Sequence, residues 1–463
     1  MNRLVTVAAI AIAFTALAPL GRAEESTPPA VDAADGLTLE EAVALALAEN
    51  PRIRIASSGE AVAVARLRQA QSAWLPQIGI SESFTRGDNP VYVFGTLLEQ
   101  GTFGPDNFDP KFLNDPPELD NYRLSVSARL PIFDQLRRWS SISIAGVDVE
   151  QAKLQSEAAR QMLRSYTIRA YYGVLIAEAR EEVASDAVRA AESAVESIRS
   201  RYETGLVVQS DLLAAEVQLS NFREQLIAAQ GDALIAHTSL ANVVGVPSAT
   251  PLRVTAKLTE TAFPEAPYAE LLATALGRRA DVRIATLNRR QAALGSRMAK
   301  GQFLPRVDTF ANWGKSGETI GEQNDDMVVG LSVSWNLLDP GRVHRMSEAR
   351  AEELAAEAGA DQVRNDAELD ILAAHNRFMT AKQRLAVGES TQAQAAEAAR
   401  IVRDRYDAGL TTITEVLRAD TAAVAARLAR LAASYDYTTG YAELLRATGQ
   451  FDSIAPFVAG ETR

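Results

Sequence analysis

The chain has 463 residues, a formal net charge of −12 at neutral pH and no cysteine. An acidic chain whose charges are spread along its length argues against nucleic acid as a partner. Without cysteine the protein has neither disulfides nor a lipid anchor on an N-terminal cysteine, so its stability has to come from packing or oligomerisation.

Residues 1–23 have the features of a secretory signal peptide. Arg3 precedes an apolar stretch over residues 4–20, and a small-residue pattern follows before Glu24. An uncleaved anchor helix is the alternative, although the stretch is short for one. Cleavage removes Arg3 and Arg22 and changes the formal net charge from −12 to −14. No later stretch offers about 18 consecutive apolar residues, so membrane residence of the mature chain is expected to come from strands.

Two helices are predicted ahead of the first strand. Thr38 and Glu41 have the spacing of a capping box, which opens a short helix that ends before Asn50. A second helix is expected over residues 51–75.

Two strands joined by a long loop are predicted next, at about residues 77–86 and 121–133. The second strand alternates clearly, with apolar side chains on one face at Tyr122, Leu124, Val126, Ala128, Leu130 and Ile132. A half-apolar strand of about ten residues has the length that crosses a bilayer when tilted. The loop at 87–120 is rich in turn residues, and its length predicts that it faces outward.

A helical hairpin is predicted over residues 135–246. No proline occurs between residues 132 and 246, and proline costs about 3 kcal/mol inside a helix. We expect one long helix over 135–203 and a shorter one over 209–245, with a glycine turn between them. Apolar residues recur at spacings of three and four and predict a coiled-coil seam: Val188, Ala191, Val195, Ile198, Tyr202, Leu212, Ala215, Leu219, Phe222, Leu226 and Ala229.

The chain then repeats this order, which indicates an internal duplication. RYETGL at 201–206 returns as RYDAGL at 405–410, and residues 341–455 are again free of proline. The predicted first copy covers 24–246 and the second covers 267–449, with a linker at 247–266 and a tail at 450–463. Pro267 marks the first helix of the second copy. Its strands are expected at about 306–313 and 327–337, and its hairpin at 341–449, with a smaller seam at Ala395, Ala399, Val402 and Tyr406.

Four predicted strands are too few to close a barrel. A sheet edge exposed to lipid leaves backbone groups unpaired at a cost of several kcal/mol each. Three identical chains would supply twelve strands and remove the edges. The alternative is a small soluble sheet packed on helices, because alternation also suits ordinary antiparallel sheets. The narrow helix seams and polar loops leave little to cover such a sheet.

The order of these motifs resembles the TolC-like outer membrane factors over essentially all of the mature chain. The resemblance rests on the opening LTLEEAVALALAENP, the strand endings LPIFD and NLLDPGR, and the paired RYxxGL turns. Residues 90–110 also look like the first external loop of efflux members. The resemblance implies a mainly α-helical protein with a transmembrane β-barrel, in which a homotrimer forms a twelve-stranded barrel and a twelve-helix periplasmic barrel.

The same resemblance implies a location and a function. The location is the outer membrane of a Gram-negative bacterium, with outer membrane lipid around the barrel and the helices in the periplasm. The function is that of an exit duct for a tripartite efflux pump or a type I secretion system. The implied partners are a periplasmic adaptor, also called a membrane fusion protein, and an inner-membrane transporter.

By this resemblance each RYxxGL turn lies at the far periplasmic tip. Glycine supplies the backbone freedom that a tight reversal needs. The family docks its adaptor there, and we expect docking through Tyr202, Gly205, Leu206, Gly409 and Leu410. The alternative is that these residues only shape the turns.

The resemblance also places closure of the channel at the second tip, through an aromatic residue and two acids. Tyr406 matches the aromatic residue and Glu415 the first acid, whereas Arg418 stands where the second acid is expected; Asp211 is the first-copy counterpart of Glu415. Carboxylates near a threefold axis attract cations, and Arg418 is expected to pair with Glu415 across a protomer boundary. Solvated charges on a helix face are the alternative.

No catalytic or cofactor site is predicted. His237, His344 and His375 lack ligand spacing, and no nucleophile elbow, phosphate loop or paired-carboxylate site occurs in a plausible context. We therefore expect no enzymatic activity, no cofactor and no metal. The alternative function is a soluble periplasmic coiled-coil scaffold or adaptor without a pore, although adaptors normally have one hairpin flanked by compact β-domains.

Overall fold

The computed structural model describes residues 36–248, 250, 252–256, 262–321 and 323–458. This part of the chain is mainly helical with a single antiparallel sheet. It contains no helix that is both long enough and apolar enough to span a membrane. The predicted signal peptide lies outside the described residues.

The first copy runs from a short helix to the first hairpin. Its long helix begins two residues later than predicted and ends at the predicted Glu203. In chain order the elements are α1 (Leu39–Glu49), α2 (Pro51–Ser72), β1 (Gln77–Gly87), α3 (Pro90–Glu99), a 3-10 helix (Pro105–Phe108), α4 (Pro110–Asn114), β2 (Leu119–Asp134), α5 (Arg137–Glu203) and α6 (Gln209–Val244).

The second copy repeats the helices and strands without the inserted loop helices. Helices α5 and α9 both have 67 residues, which corresponds to roughly 100 Å at the rise of an α-helix. The elements are α7 (Tyr268–Arg278), α8 (Ala280–Gly301), β3 (Arg306–Gly317), β4 (Asn324–Ser334), α9 (Gly341–Asp407), α10 (Ile413–Ala447) and, in the tail, α11 (Ala455–Val458).

Each long helix packs beside two shorter helices placed end to end. Helices α2 and α6 both contact α5, and α8 and α10 both contact α9. Asn50 caps α2 and donates its amide to the carbonyl of Val243 at the end of α6, at 2.7 Å. Arg279, ahead of α8, donates to the carbonyl of Ala447 at the end of α10, also at 2.7 Å. The end carbonyls of one helix are therefore satisfied by the start of the next.

The four strands form one sheet in the order β1-β2-β3-β4. Phe84 faces Tyr122 on one side of the sheet, and the hydroxyls of Ser81 and Ser125 share a hydrogen bond of 2.8 Å on the other. We call the side that carries Ser81 and Ser125 the polar face. Strands β1 and β4 are the edges and are unpaired within the described chain.

The strands of the second copy differ from their predicted ends. Strand β3 continues to Gly317 and β4 begins at Asn324, because Gly314 and Ser316 still pair with residues of β4 that the sequence assigned to a loop. Strand β4 ends at Ser334, three residues early, where the chain turns toward α9.

The long loop of the first copy is folded onto the polar face of the sheet. Arg123 on β2 pairs with Glu99 at the end of α3 (2.9 Å) and with Asp326 on β4 (3.0 Å), and donates to the hydroxyl of Ser316 (2.8 Å). The side chain of Gln100 is buried and donates to the carbonyl of Asp120 at 2.8 Å. The predicted turn-rich loop is therefore an ordered cover fastened to strands of both copies.

Replacing Arg123 by alanine is expected to loosen this cover. Trypsin added outside intact cells should cut at Lys111, the single lysine or arginine between residues 88 and 120, roughly fivefold faster, because the loss of two partly exposed ion pairs raises the open population. Arg129 on the same strand has no ion pair within the described residues, so Arg129→Ala should leave the cleavage rate unchanged. Equal rates for both variants would contradict the fastening role of Arg123.

A buried arginine holds the corner at which β2 passes into α5. Arg138 donates to the carbonyls of Ala73 (3.3 Å) and Ile132 (3.1 Å) and pairs with Asp134 at 3.2 Å. Its guanidinium lies 4.1 Å from the ring centroid of Trp74. The side chain is 7% exposed, so these partners replace the water that the charge has lost.

The second copy builds the same corner. Arg342, also buried, donates to the carbonyls of Gln302 (3.1 Å) and Asn336, and lies 5.2 Å from the ring centroid of Phe303. Gln302, Asn336 and Phe303 stand around Arg342 as Ala73, Ile132 and Trp74 stand around Arg138. We call Arg138 and Arg342 the corner arginines.

The two largest apolar clusters hold most of the helices together. The larger surrounds α1, α7 and α11 and contains stacked rings, with Phe263 4.4 Å from Tyr441 between centroids. The smaller lies near the tips of the hairpins and unites α5 and α6 with the start of α10. It buries most of the predicted first seam: Val188, Val195, Ile198, Ala215, Leu219 and Phe222.

Candidate functional site at the hairpin tips

Both hairpins reverse through a glycine in the left-handed region. Gly205 has φ +74°, and its N–H donates to the carbonyl of Tyr202 at 2.9 Å, while the N–H of Leu206 donates to the carbonyl of Arg201 at 2.8 Å. These two bonds form a Schellman motif, which ends a helix and satisfies its last carbonyls. The second turn repeats both bonds around Gly409, with φ +76°.

The turns present apolar side chains to solvent. Leu206 is 76% exposed and Leu410 is 67% exposed. Tyr202 is 40% exposed and lies outside the apolar cluster near the tip, so its predicted place in the seam is wrong. Apolar side chains at the end of a long helical pair are suited to contact with another protein.

An arginine that the sequence did not single out joins the two hairpins. Arg201, at the end of α5, pairs with Asp407 at the end of α9, at 2.8 Å. Its guanidinium also lies 5.0 Å from the ring centroid of Tyr406. We call Arg201, Tyr406 and Asp407 the tip latch. All three lie in the RYxxGL motifs, but the pattern alone does not say which arginine meets which acid.

Tyr406 lies at the boundary between the hairpins. Its hydroxyl is buried. Burial raises the pKa of Tyr406; the guanidinium of Arg201 opposes the shift, and the carboxylate of Asp211 adds to it. The structure therefore brings Tyr406 and Asp211, two of the predicted gate residues, close together.

The other two predicted gate residues form a pair in the first two turns of α10, which begins at Ile413. Arg418 and Glu415 lie 3.1 Å apart within the same helix, with side chains 73% and 52% exposed. In the single chain the pair is therefore formed inside one helix, whereas the sequence suggested pairing across a protomer boundary. The helical spacing of three residues accounts for this. An exposed pair of this kind contributes about 0.5 kcal/mol or less.

The histidines lie apart from the tips. His237 contacts the carbonyl of Leu252 and the carboxylate of Glu178, each at 3.1 Å. No group of three or more histidines and acids able to hold a metal ion occurs in the part of the chain that the structure describes.

Comparison with known proteins gives consistent matches along the chain. The family model for outer membrane efflux proteins matches residues 42–246 and 271–450. The chain is 24% identical to protein CyaE of Bordetella pertussis over 434 residues, covering 91% of this chain and 86% of that protein. It is 25% identical to the alkaline protease secretion protein AprF of Pseudomonas aeruginosa over 376 residues, covering 74% of each.

A solved structure shows the same fold. The CmeC outer membrane channel of Campylobacter jejuni superposes with a TM-score of 0.77 at 16% identity, covering 92% of this chain and 89% of that one. The family match favours an outer membrane efflux protein over the soluble scaffold considered from the sequence. The two matched segments follow the two copies of the duplication. The chain therefore belongs to the outer membrane efflux protein family and is an outer membrane exit duct that extends into the periplasm.

Proposed function

We propose that three copies of this chain form the duct and that its periplasmic end joins an adaptor and an inner-membrane transporter, as part of a tripartite efflux pump or a type I secretion system. The unpaired edges of β1 and β4 support the trimer, because pairing β4 of one chain with β1 of the next closes a twelve-stranded barrel and satisfies backbone groups that lipid cannot. The long helices α5 and α9, each roughly 100 Å, reach from the sheet to the tips at which we place the periplasmic partner.

The observation that carries the docking proposal is the exposure of Leu206 and Leu410 at the two tips. Gly205 and Gly409 hold these side chains outward, with no atom within 4 Å of where their own Cβ atoms would lie. We assign Tyr202 to the same surface. An adaptor with an apolar tip would bury these leucines, at about 1.5–3 kcal/mol for each fully covered side chain.

Leu206→Asp combined with Leu410→Asp should abolish co-purification of the adaptor from native membranes. The duct itself should still reach the outer membrane, because both side chains are exposed and contribute little to folding. Leu206→Met with Leu410→Met keeps the apolar surface and should retain the adaptor. Unchanged co-purification of the aspartate variant would contradict docking at the tips.

We further propose that Tyr406, Asp211, Glu415 and Arg418 surround the periplasmic aperture. If the charges face the lumen, Glu415→Gln should lower the cation-to-anion permeability ratio and Arg418→Gln should raise it. The reversal potential in a planar bilayer under a potassium chloride gradient measures both shifts. The two variants serve as controls for each other, because each removes one partner of the same exposed pair. A ratio that neither variant changes would place the pair outside the aperture.

A further inference from the structure

A polar groove runs along helix α10, between α5 and α9. Helix α10 contacts both of these helices, and the groove has a volume of about 580 Å³, which is enough for a small organic ligand. Three arginines and two acids line it: Arg169 on α5, Arg377 and Arg384 on α9, and Asp436 and Glu443 on α10. Arg384 and Asp436 pair with each other at 3.0 Å. The groove therefore has one positive charge more than its acids can match.

The other two arginines of the groove are less well matched. Arg169 is 3.6 Å from Glu443, but Glu443 also pairs with Arg446, outside the groove, at 2.7 Å. Arg377 is exposed and makes no ion pair or side-chain hydrogen bond in the part of the chain that the structure describes. Arg377 is thus free to bind an anion, and Arg169 is held loosely beside it in the same groove.

The groove opens on the side of the helices that faces away from the larger apolar cluster. That cluster holds α1, α7 and α11 against the long helices and includes Tyr171 on α5 and Tyr441 on α10. Arg169 lies two residues before Tyr171, and Glu443 lies two residues after Tyr441. Two residues correspond to about 200° around an α-helix. The groove and the short helices are therefore on opposite sides of the wall that the long helices form.

The size of the duct decides which side of this wall is the lumen. In the homotrimer proposed above, twelve helices of about 10 Å diameter placed side by side form a ring with a lumen roughly 25–30 Å across. Helices α1 and α7 from all three chains would fill most of that width. The short helices therefore lie outside the ring, and the groove faces the lumen.

We propose that this groove is a lumenal binding site for small organic anions that carry carboxylate or phosphate groups, with Arg377 as its principal binding residue. The inference rests on the homotrimer of the proposed function. A guanidinium presents a planar set of donors that matches a carboxylate or a phosphate with two hydrogen bonds. The exposed side chains of Asn376 and Thr380 line the same groove and add donors. Three such grooves around the lumen favour anionic solutes over neutral solutes of the same size.

Calorimetry with citrate tests the site. The purified trimer in nonionic detergent should bind citrate saturably at low ionic strength, where salt screens the exposed arginine least. Arg377→Gln should raise the dissociation constant for citrate at least tenfold. Lys382→Gln is the matched control, because Lys382 lies on the same helix but pairs with Glu265 instead of lining the groove. It removes the same charge and should leave citrate binding unchanged. An intact trimer that does not bind citrate, or that both variants weaken equally, overturns the site but leaves the duct standing.

Ion selectivity tests the side of the wall on which the groove lies. Arg377→Glu should lower the anion-to-cation permeability ratio of the duct about threefold, because it reverses a charge in the lumen of each chain. The reversal potential under a potassium chloride gradient measures the ratio. Lys382→Glu reverses a charge outside the lumen and should leave the ratio unchanged. Equal shifts in both variants, or no shift in either, would overturn the lumenal position of the groove. An unmodified protein that purifies as a single chain would instead refute the proposed function.

Discussion

Replacing Arg201 by alanine is expected to raise the open probability of the duct in planar bilayers about tenfold or more. Arg201 contributes an ion pair with Asp407 at 2.8 Å and a cation–π contact with Tyr406 at 5.0 Å. A partly exposed ion pair and an exposed cation–π contact together contribute about 0.5–1 kcal/mol. If the three chains of a trimer open together, about 1.5–3 kcal/mol is lost at once, and each 1.4 kcal/mol corresponds to a factor of ten.

Arg199 provides the matched control for this prediction. It lies two residues earlier on the same helix and pairs with Glu216 at 2.8 Å, but that pair joins α5 to α6 inside one hairpin. Arg199→Ala should therefore leave the open probability unchanged while removing the same charge. If both variants opened the duct equally, net charge at the tip rather than the latch would control opening.

Replacing the corner arginine Arg138 by leucine is expected to cost the protein about 3–5 kcal/mol of unfolding free energy. The change leaves the carboxylate of Asp134, which is 14% exposed, without its cation, and it leaves the carbonyls of Ala73 and Ile132 without their donor. An unpaired buried charge is more costly than an absent pair. Urea unfolding of the purified protein in detergent, followed by circular dichroism, measures the loss.

The neighbouring Arg137 is the control for the corner prediction. It is exposed and makes no ion pair in the described part of the chain, so Arg137→Leu should change the unfolding free energy by less than about 0.5 kcal/mol. Arg342→Leu should cost less than Arg138→Leu, because Asp339, the acid of the second corner, keeps Arg345 as a partner at 2.6 Å. If Arg138→Leu left both the unfolding free energy and the urea midpoint nearly unchanged, the corner would be held by packing alone.

The duplication made most of the fold predictable. The proline-free tracts placed the four helices of the two hairpins, and the recurring RYxxGL motif placed both turns, because a left-handed glycine leaves a strong local signal. Strand β2 was predictable since apolar and polar side chains alternate over residues 121–132, which is most of its length. The strand count predicted that three chains share one barrel, and the resemblance added the periplasmic helical barrel and the partners.

Other features lay beyond the sequence because they depend on long-range side-chain contacts. In the sequence, Arg138 and Arg342 look like solvated charges in a polar run. Only the structure shows that each donates hydrogen bonds to backbone carbonyls of two separate segments. Helix α3 lies in the segment that the sequence predicted as a turn-rich loop. It is stabilised by packing on the sheet and by Arg123. Arg201 and Arg405 occupy the same place in their RYxxGL motifs. Arg201 nevertheless pairs with the second hairpin, whereas Arg405 makes no ion pair with the first hairpin within the described residues.

The number of chains in the purified duct tests the central claim most directly. Native mass spectrometry of the protein extracted from outer membranes in mild detergent should show a complex of three chains and no stable species of one. The unpaired edges of β1 and β4 require that result if the sheet faces lipid. A single chain that stays folded in water without detergent would contradict it, because its sheet edges would then need no neighbour.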